Sequence, residues 1–324
     1  MTATDADRDD TAVGSDSGAA GTVALSSNNF AGDVWVNFKR WNLKAVRNPF
    51  VLVVSLVQPI IFLVLFTEVF GTVAGGAVRG VLGEGVTYES YLVPAIAVQV
   101  ALAAAVTSGV GLVNDIENGM FEKVLVSPMN RTAVFVGKTA AELFRIAVQI
   151  AIILGLGVLL GAEIQTGVVG AAGIVGIGVL FSLWFVAFSN SLAVVTRDQE
   201  STIIGGNLLQ FPLLFLSSAF LPLAALPPWI RVFARVNPVT YGVDAARSLM
   251  LDRDVATAFE VTGVDGTLGG VLPGVAVLAG LGLALGGVAV VLLSLATTDA
   301  LLKRLGSGAR PTNSVILPAT HSRT

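Results

Sequence analysis

Apolar positions along this chain fall into six long windows that contain no charged residue. They run from Asn48 to Thr67, Ser90 to Asn114, Ile146 to Ala162, Ile164 to Thr196, Ser201 to Ile230 and Gly266 to Thr298, with lengths of 20, 25, 17, 33, 30 and 33 residues. A helix needs about 20 residues to cross roughly 30 Å of hydrocarbon. The windows therefore predict six transmembrane helices, at about 50–69, 92–113, 143–162, 168–195, 202–224 and 271–295. They occupy 158 of the 324 residues, and the short connections leave no room for a soluble domain. One further uncharged stretch, Ser17 to Gly32, holds Ser, Gly, Ala and Asn without an apolar core and reads as tail.

The flanking segments carry helical periodicity of another kind. Between Phe30 and Arg47, Phe30, Val34, Phe38, Trp41 and Ala45 recur at steps of 4, 4, 3 and 4, while Asp33, Asn37, Arg40, Lys44 and Arg47 follow the opposite face. This predicts an amphipathic elbow, residues 30–47, lying at the inner membrane surface, with Trp35 and Trp41 at headgroup level. Asn48-Pro49 then reads as a cap and first turn for the helix that enters the bilayer.

The link between the second and third spans holds Asp115, placed to cap a short helix with Ile116, Met120 and Val124 on one side and Ser127-Pro128 as its stop. Such a helix is marginal alone and shaped for docking. On the outer side, Pro222, Pro227 and Pro228 break the chain. Trp229, Ile230, Phe233 and Val236 then form an apolar face. Asn237-Pro238 caps a further helix in which Asp244 and Arg247 stand three apart and are expected to pair.

Composition narrows the chemistry. Only 13% of residues are charged and 54% are hydrophobic, against roughly 25% charged in a soluble domain. There is no cysteine, and the single histidine, His321, lies in a polar tail, so neither a thiolate metal site nor a Ser-His-Asp triad can be assembled. No metal ligands or catalytic residues are expected, and a net charge of -3 gives no nucleic-acid surface. Residues 1–29, with Asp5, Asp7, Asp9, Asp10 and Asp16, read as a disordered acidic tail that lacks the basic start and apolar middle of a signal peptide. Residues 304–324 read as a second, cytoplasmic tail. With both termini inside, inner segments hold 14 basic residues and outer segments 5, which fixes the expected orientation.

Amides inside the spans, Gln99, Gln149, Asn190, Asn207 and Gln210, are candidates for a transport path or, equally, for hydrogen bonds that hold the bundle together. Carboxylates avoid the middle of every span, since Glu68 is at the outer end of the first and Glu142 and Arg145 are at the inner start of the third. That disfavours a proton- or ion-coupled carrier. Gly137-Lys138-Thr139 ends like a phosphate loop, but position 132 is Thr132 where the motif needs glycine. Residues 132–139 are therefore not a phosphate loop.

Two motifs carry a family likeness. Glu117-Asn118-Gly119-Met120-Phe121-Glu122-Lys123-Val124-Leu125-Val126-Ser127-Pro128 resembles the E-x-G-T-x-E-x-L-L-x-[ST]-P loop of type-2 ABC exporter permeases, the group that includes daunorubicin-resistance and nodulation-factor export permeases. Leu221-Pro222 through Leu226-Pro227-Pro228-Trp229, followed by Asn237-Pro238-Val239-Thr240-Tyr241 to Asp244 and Arg247, is similar to the family's segment before the last span. The likeness covers roughly Phe30 to Lys303, the expected permease domain, and departs at Met120, where the family has Thr or Ser.

The resemblance implies a permease subunit that couples ATP hydrolysis by a separate ATPase subunit to efflux of a drug-like, lipid or polysaccharide substrate. Glu117, Asn118, Gly119, Phe121, Glu122, Lys123, Leu125, Ser127 and Pro128 would seat in that subunit. Arg197, Asp198 and Glu200 would make a smaller inner contact, or merely a charged turn. Trp35, Phe38, Arg40, Trp41, Lys44 and Arg47 would form the elbow. Trp229, Phe233, Asn237, Pro238, Tyr241, Asp244 and Arg247 would close the outer side as re-entrant helices. Two ATP-binding subunits carrying ATP and Mg, a second permease copy and the lipid bilayer are the implied partners, in the cell membrane with both termini cytoplasmic. The rival readings are a carrier or channel that needs no ATP, and a non-transporting membrane anchor for an ATPase.

Overall fold

The computed structural model describes residues 30–47, 49–83, 85–119, 131–255 and 266–306. Most of the expected docking loop, both tails except the first residues of the second, and Asn48 lie outside the described residues. Every element is helical apart from turns, as an all-α membrane protein requires, because a helix satisfies its own backbone groups in lipid.

The elements are α1 (Phe30–Arg47), α2 (Pro49–Leu82), α3 (Tyr88–Glu117), α4 (Arg131–Leu159), α5 (Gly167–Thr196), α6 (Gln199–Phe215), a 3-10 turn (Leu223–Ala225), α7 (Pro228–Val236), α8 (Pro238–Leu251) and α9 (Thr267–Gly306). Within the described residues five stretches are long and apolar enough to cross a membrane: Leu52–Leu82, Tyr88–Glu117, Thr132–Leu159, Gly167–Thr196 and Thr267–Val288.

Several helices run past their expected ends. α2 has 34 residues and continues to Leu82, because Glu68 is exposed on its flank and does not interrupt the backbone ladder. It stops at Gly83, whose φ of +94° is open to glycine and whose N–H closes on the Arg79 carbonyl at 2.8 Å. α4 starts at Arg131, twelve residues before the expected span, since charged side chains along its first turns do not prevent helix formation.

The expected span at 202–224 is shorter as a helix. α6 has 17 residues and ends at Phe215, where the Leu216 N–H reaches the Pro212 carbonyl at 2.9 Å. Beyond it the Ser217 hydroxyl donates to the Leu214 carbonyl at 2.6 Å and accepts from the Ala219 N–H at 3.1 Å. Local side-chain bonds of this kind compete with a continuing helix, and Pro222 follows.

α3 is the central helix. Its N-terminus is capped by Thr87, whose hydroxyl accepts from the Ser90 N–H at 3.2 Å, and it is buried along most of its length. α5 runs beside it in the same direction and packs against it most extensively, with α4, α6, α8 and α2 around the pair and α9 against α5 and α8. Close approach depends on Gly109, where a Cβ would stand 2.5 Å from the Ser189 carbonyl oxygen.

The elbow is oriented differently from its sequence reading. Its Val34, Phe38, Trp41 and Ala45 stripe is turned onto α4, with the Phe38 and Phe144 rings 5.9 Å apart and Asn37 buried between the helices. A second apolar strip of Trp35, Val36, Leu43 and Val46 faces outward. The helix thus has two apolar strips, one covered by α4 and one open.

Candidate coupling and gating sites

Of the nine residues expected to meet a partner ATPase, Glu117, Asn118 and Gly119 are described, while Phe121, Glu122, Lys123, Leu125, Ser127 and Pro128 lie outside the described residues. Asp115 does not cap a new helix. It sits within α3, which continues to Glu117, and the Asn118 and Gly119 N–H groups close that helix onto Asn114 at 3.0 Å and Ile116 at 3.1 Å. Glu117 accepts from the Gln199 side-chain amide at 2.6 Å, so the stem of this loop touches the turn between α5 and α6. In that turn Arg197, Asp198 and Glu200 are all exposed. Arg197 takes the left-handed conformation that ends α5, and Asp198 caps α6 by accepting from the Ser201 N–H at 2.7 Å. That backbone bond, aided by the Ser201 side chain, holds the Asp198 carboxyl below its ordinary range.

Behind the stem a buried lysine meets two half-buried carboxylates. Lys138 of α4 is 7% exposed and its ammonium lies 3.0 Å from Asp115 and 3.9 Å from Glu142. The same ammonium stands 5.3 Å from the Trp41 ring centroid, and Lys44 approaches that ring at 4.8 Å. Ser108 bonds to Glu142 and stands 3.3 Å from the Asn190 side-chain oxygen.

The five span amides separate in space. Gln149 donates to Ser55 at 2.6 Å, tying α4 to α2, and Asn190 ties α5 to α3 through Ser108. Gln99 is 1% exposed, and its Oε1, like that of Gln149, finds no partner among the described residues. Gln210 is buried and Asn207 half-buried on α6. No hydrogen bond joins any two of the five among the described residues.

At the end of the bundle opposite Glu117, four of the expected gate residues, Asn237, Tyr241, Asp244 and Arg247, are buried together in one joint. Asn237 accepts from the Val239 N–H at 2.9 Å as the cap of α8 and donates to the carbonyls of Leu213 at 2.6 Å and Leu216 at 3.0 Å, on either side of the end of α6 at Phe215. The Tyr241 hydroxyl donates to the Arg235 carbonyl at 2.7 Å. The expected Asp244–Arg247 pair is present at 3.8 Å, and Asp244 also accepts from the Ser218 hydroxyl at 2.9 Å. Arg247 donates to the carbonyls of Tyr91, Ser218 and Ala219. Pro238 is half-buried, whereas Trp229 and Phe233 stand outside the joint, 61% and 54% exposed on α7.

Residues 32–251 match the ABC-2 type transporter family. The chain belongs to this family. It is a multi-pass membrane permease subunit without an ATPase domain, and it requires an ATP-binding partner subunit. It is similar to the daunorubicin resistance ABC transporter permease protein DrrB1 of Streptomyces coeruleorubidus, 28% identical over 202 residues, covering 62% of this chain and 69% of the relative. The probable doxorubicin resistance ABC transporter permease protein DrrC of Mycobacterium tuberculosis H37Rv is 26% identical over 215 residues, covering 65% and 73%. The probable multidrug ABC transporter permease YbhR of Escherichia coli K12 is 23% identical over 176 residues, covering 54% and 47%.

Two features of this ABC-2 permease escape the sequence reading. Lys138 draws notice there only as part of a failed phosphate loop, although its 23-residue separation from Asp115 spans the very loop whose two stems it joins. Arg247 is expected there as the partner of Asp244 and part of the outer gate, but not as a residue only 1% exposed that is held chiefly by backbone carbonyls. A lysine and an aspartate at the two mouths of one inner loop were a usable signal for the first. Backbone carbonyls as the partners of Arg247 leave no signal at all.

Proposed function

We propose that this permease exports amphipathic, drug-like compounds as a pair of permease copies driven by two separate ATP-binding subunits. The observation that carries this reading is the family match over 32–251, together with likeness to permeases named for daunorubicin and doxorubicin resistance. Residues 117–128 are the main contact with the ATPase and Arg197, Asp198 and Glu200 a smaller one, an arrangement supported by the bond between Glu117 and Gln199 at the base of both turns. ATP and Mg stay on the partner subunit. Closure of the two ATPases around nucleotide moves the loops as rigid bodies and tilts the attached helices.

Six crossings complete the path in this reading. α6 is the fifth, its 17 residues extended to the outer surface by the turn through Ser217 to Phe220. Both termini are cytoplasmic, in keeping with the 14 to 5 distribution of basic residues. α7 and α8 are re-entrant helices that close the outer side, with Trp229 and Phe233 presented to the substrate and Asn237, Pro238, Tyr241, Asp244 and Arg247 as their base. Gln99, Gln149, Asn190, Asn207 and Gln210 supply polar points along the path. The elbow lies in the inner leaflet, with Trp35 outward and Phe38, Arg40, Trp41, Lys44 and Arg47 bridging protein and headgroups.

The test is uptake into inverted membrane vesicles that hold the permease and its ATP-binding subunit, with a panel of amphipathic dyes, a lipid probe and an oligosaccharide. ATP-dependent uptake of the dyes is expected. Uptake of the same dyes by the permease alone, without the ATPase, would overturn the reading in favour of an ATP-independent carrier. Absence of ATP-dependent uptake of any probe, with the complex assembled and hydrolysing ATP, would overturn it in favour of an anchor.

A further inference from the structure

The inner loop that begins after Glu117 leaves from α3 and returns through α4. Its two stems are not independent. Asp115, two residues before the end of α3, and Lys138, eight residues into α4, face each other at 3.0 Å with side chains 15% and 8% exposed. Lys138 is held from a second side by Glu142 at 3.9 Å and faces the Trp41 ring of the elbow at 5.3 Å. Glu142 carries the link onward, since Ser108 bonds to it and reaches Asn190 of α5 at 3.3 Å. The neighbouring Gly137 rests directly on the elbow backbone, where a Cβ would stand 2.7 Å from the Val34 carbonyl oxygen. One ammonium thus lies where α1, α3 and α4 meet, with α5 reached through Glu142 and Ser108.

We propose that Lys138 is a positioning residue for energy coupling: it clamps the two stems of the inner loop to each other and to the elbow, so that a push on the loop moves α1, α3 and α4 as one body. The proposal rests on the reading of residues 117–128 as the ATPase contact. A loop anchored at one stem alone would bend under load and leave its helices still. Two stems joined through a hydrogen-bonded ion pair largely shielded from solvent transmit the displacement, because a charge-assisted bond of this kind is short and holds its geometry. Arginine keeps the charge, whereas methionine keeps the length and apolar stem and loses the clamp.

The experiment uses the full complex of permease and ATP-binding subunit in vesicles and reads three quantities: co-purification of the ATPase, ATP hydrolysis and ATP-dependent dye uptake. Lys138→Met is expected to keep co-purification and to hydrolyse ATP within about twofold of the parent, while uptake falls at least tenfold. Lys138→Arg is expected to recover uptake to within about threefold, and Asp115→Asn with Lys138→Met is expected to be no worse than Lys138→Met alone. Uptake that stays normal in Lys138→Met, or falls only in proportion to hydrolysis or assembly, overturns the proposal.

The chain has no cysteine, so Asp115→Cys with Lys138→Cys supplies a second reading should the methionine variant fail to reach the membrane. Bridging that pair with a short bis-thiol-reactive linker is expected to raise uptake at least fivefold over the unbridged form. No gain in bridged protein overturns the clamp. Glu122→Arg tests the loop reading separately. If that variant assembles and transports normally, residues 117–128 are not the ATPase contact, whatever Lys138 does.

Discussion

The guanidinium of Arg247 lies 3.5 Å from the centroid of the Tyr91 ring, two residues that stand 156 positions apart in the chain. Around this stack Arg247 donates to carbonyls of α3 and of the turn after α6 while sitting in α8 itself. A planar fork can lie flat on the ring while its fixed N–H groups reach three carbonyls at once, a geometry that a single ammonium on a flexible stem does not reproduce. Arg247→Lys is therefore not a conservative change. It is expected to cost about 3 kcal/mol, the range for breaking a buried charge arrangement, and to lower the thermal unfolding midpoint in detergent by several degrees. A midpoint equal to the parent's would show that the three carbonyls are satisfied without the fork.

Gly137 seats α4 on the elbow, with room for no side chain: a Cβ would meet Asn37 and the Val34 carbonyl, each at 2.7 Å. Backbone atoms cannot yield as a flexible side chain does. Gly137→Ala is expected to destabilise by about 1–3 kcal/mol, as overpacking does, and to increase the protease accessibility of α1. Gly155→Ala on the same helix meets nothing within 4 Å and should be neutral or slightly stabilising through its higher helix propensity. Equal effects of the two substitutions in a thermal-stability assay would refute the packing argument.

Much of this fold is legible in the sequence because the governing signal is a crude one. The absence of charge over 20 residues or more locates α2, α3, α5 and α9, and the motifs at Glu117 and at Asn237 to Arg247 point to the family. Helix ends are less legible. Glu68 and the charges at the start of α4 were read as boundaries, but a charged side chain on an exposed or paired face leaves the helical backbone intact. The end of α6 depends on Ser217 bonding the nearby Leu214 and Ala219 backbone and on the distant Asn237 amide taking the Leu213 and Leu216 carbonyls, a partner the local sequence does not disclose. The same holds for the elbow, whose periodicity correctly marks an apolar stripe but cannot say whether lipid or α4 will cover it.

Asp198 gives α6 a charged cap at a fully exposed position. Its carboxyl titrates below the ordinary 3.8 because the Ser201 N–H, and then the Ser201 side chain, favour the ionised form. A group depressed in the folded state contributes stability above its unfolded value and loses it as pH falls through the folded one. Hydrogen-exchange protection at the Ser201 amide is therefore expected to hold constant from neutral pH down to about pH 4 and to fall only below that. Asp198→Ala should lower it at every pH, and a parent protein whose protection fades already near pH 6 would contradict the capping role.

Asn237 distinguishes a cap from a joint. Its carbonyl oxygen accepts from the Val239 N–H, which an aspartate would do as well. Its amide nitrogen donates to the carbonyls of Leu213 and Leu216, which an aspartate cannot do. Asn237→Asp would also place an anion against two carbonyl oxygens at a position only 6% exposed, whereas Asn237→Ala leaves those oxygens merely unpaired. A cap alone predicts Asp harmless and Ala damaging. The joint predicts the reverse order, with Ala costing about 1–3 kcal/mol for the bonds it removes and Asp costing more. Thermal unfolding of the two variants side by side decides the question, and the expected order is parent, then Asn237→Ala, then Asn237→Asp.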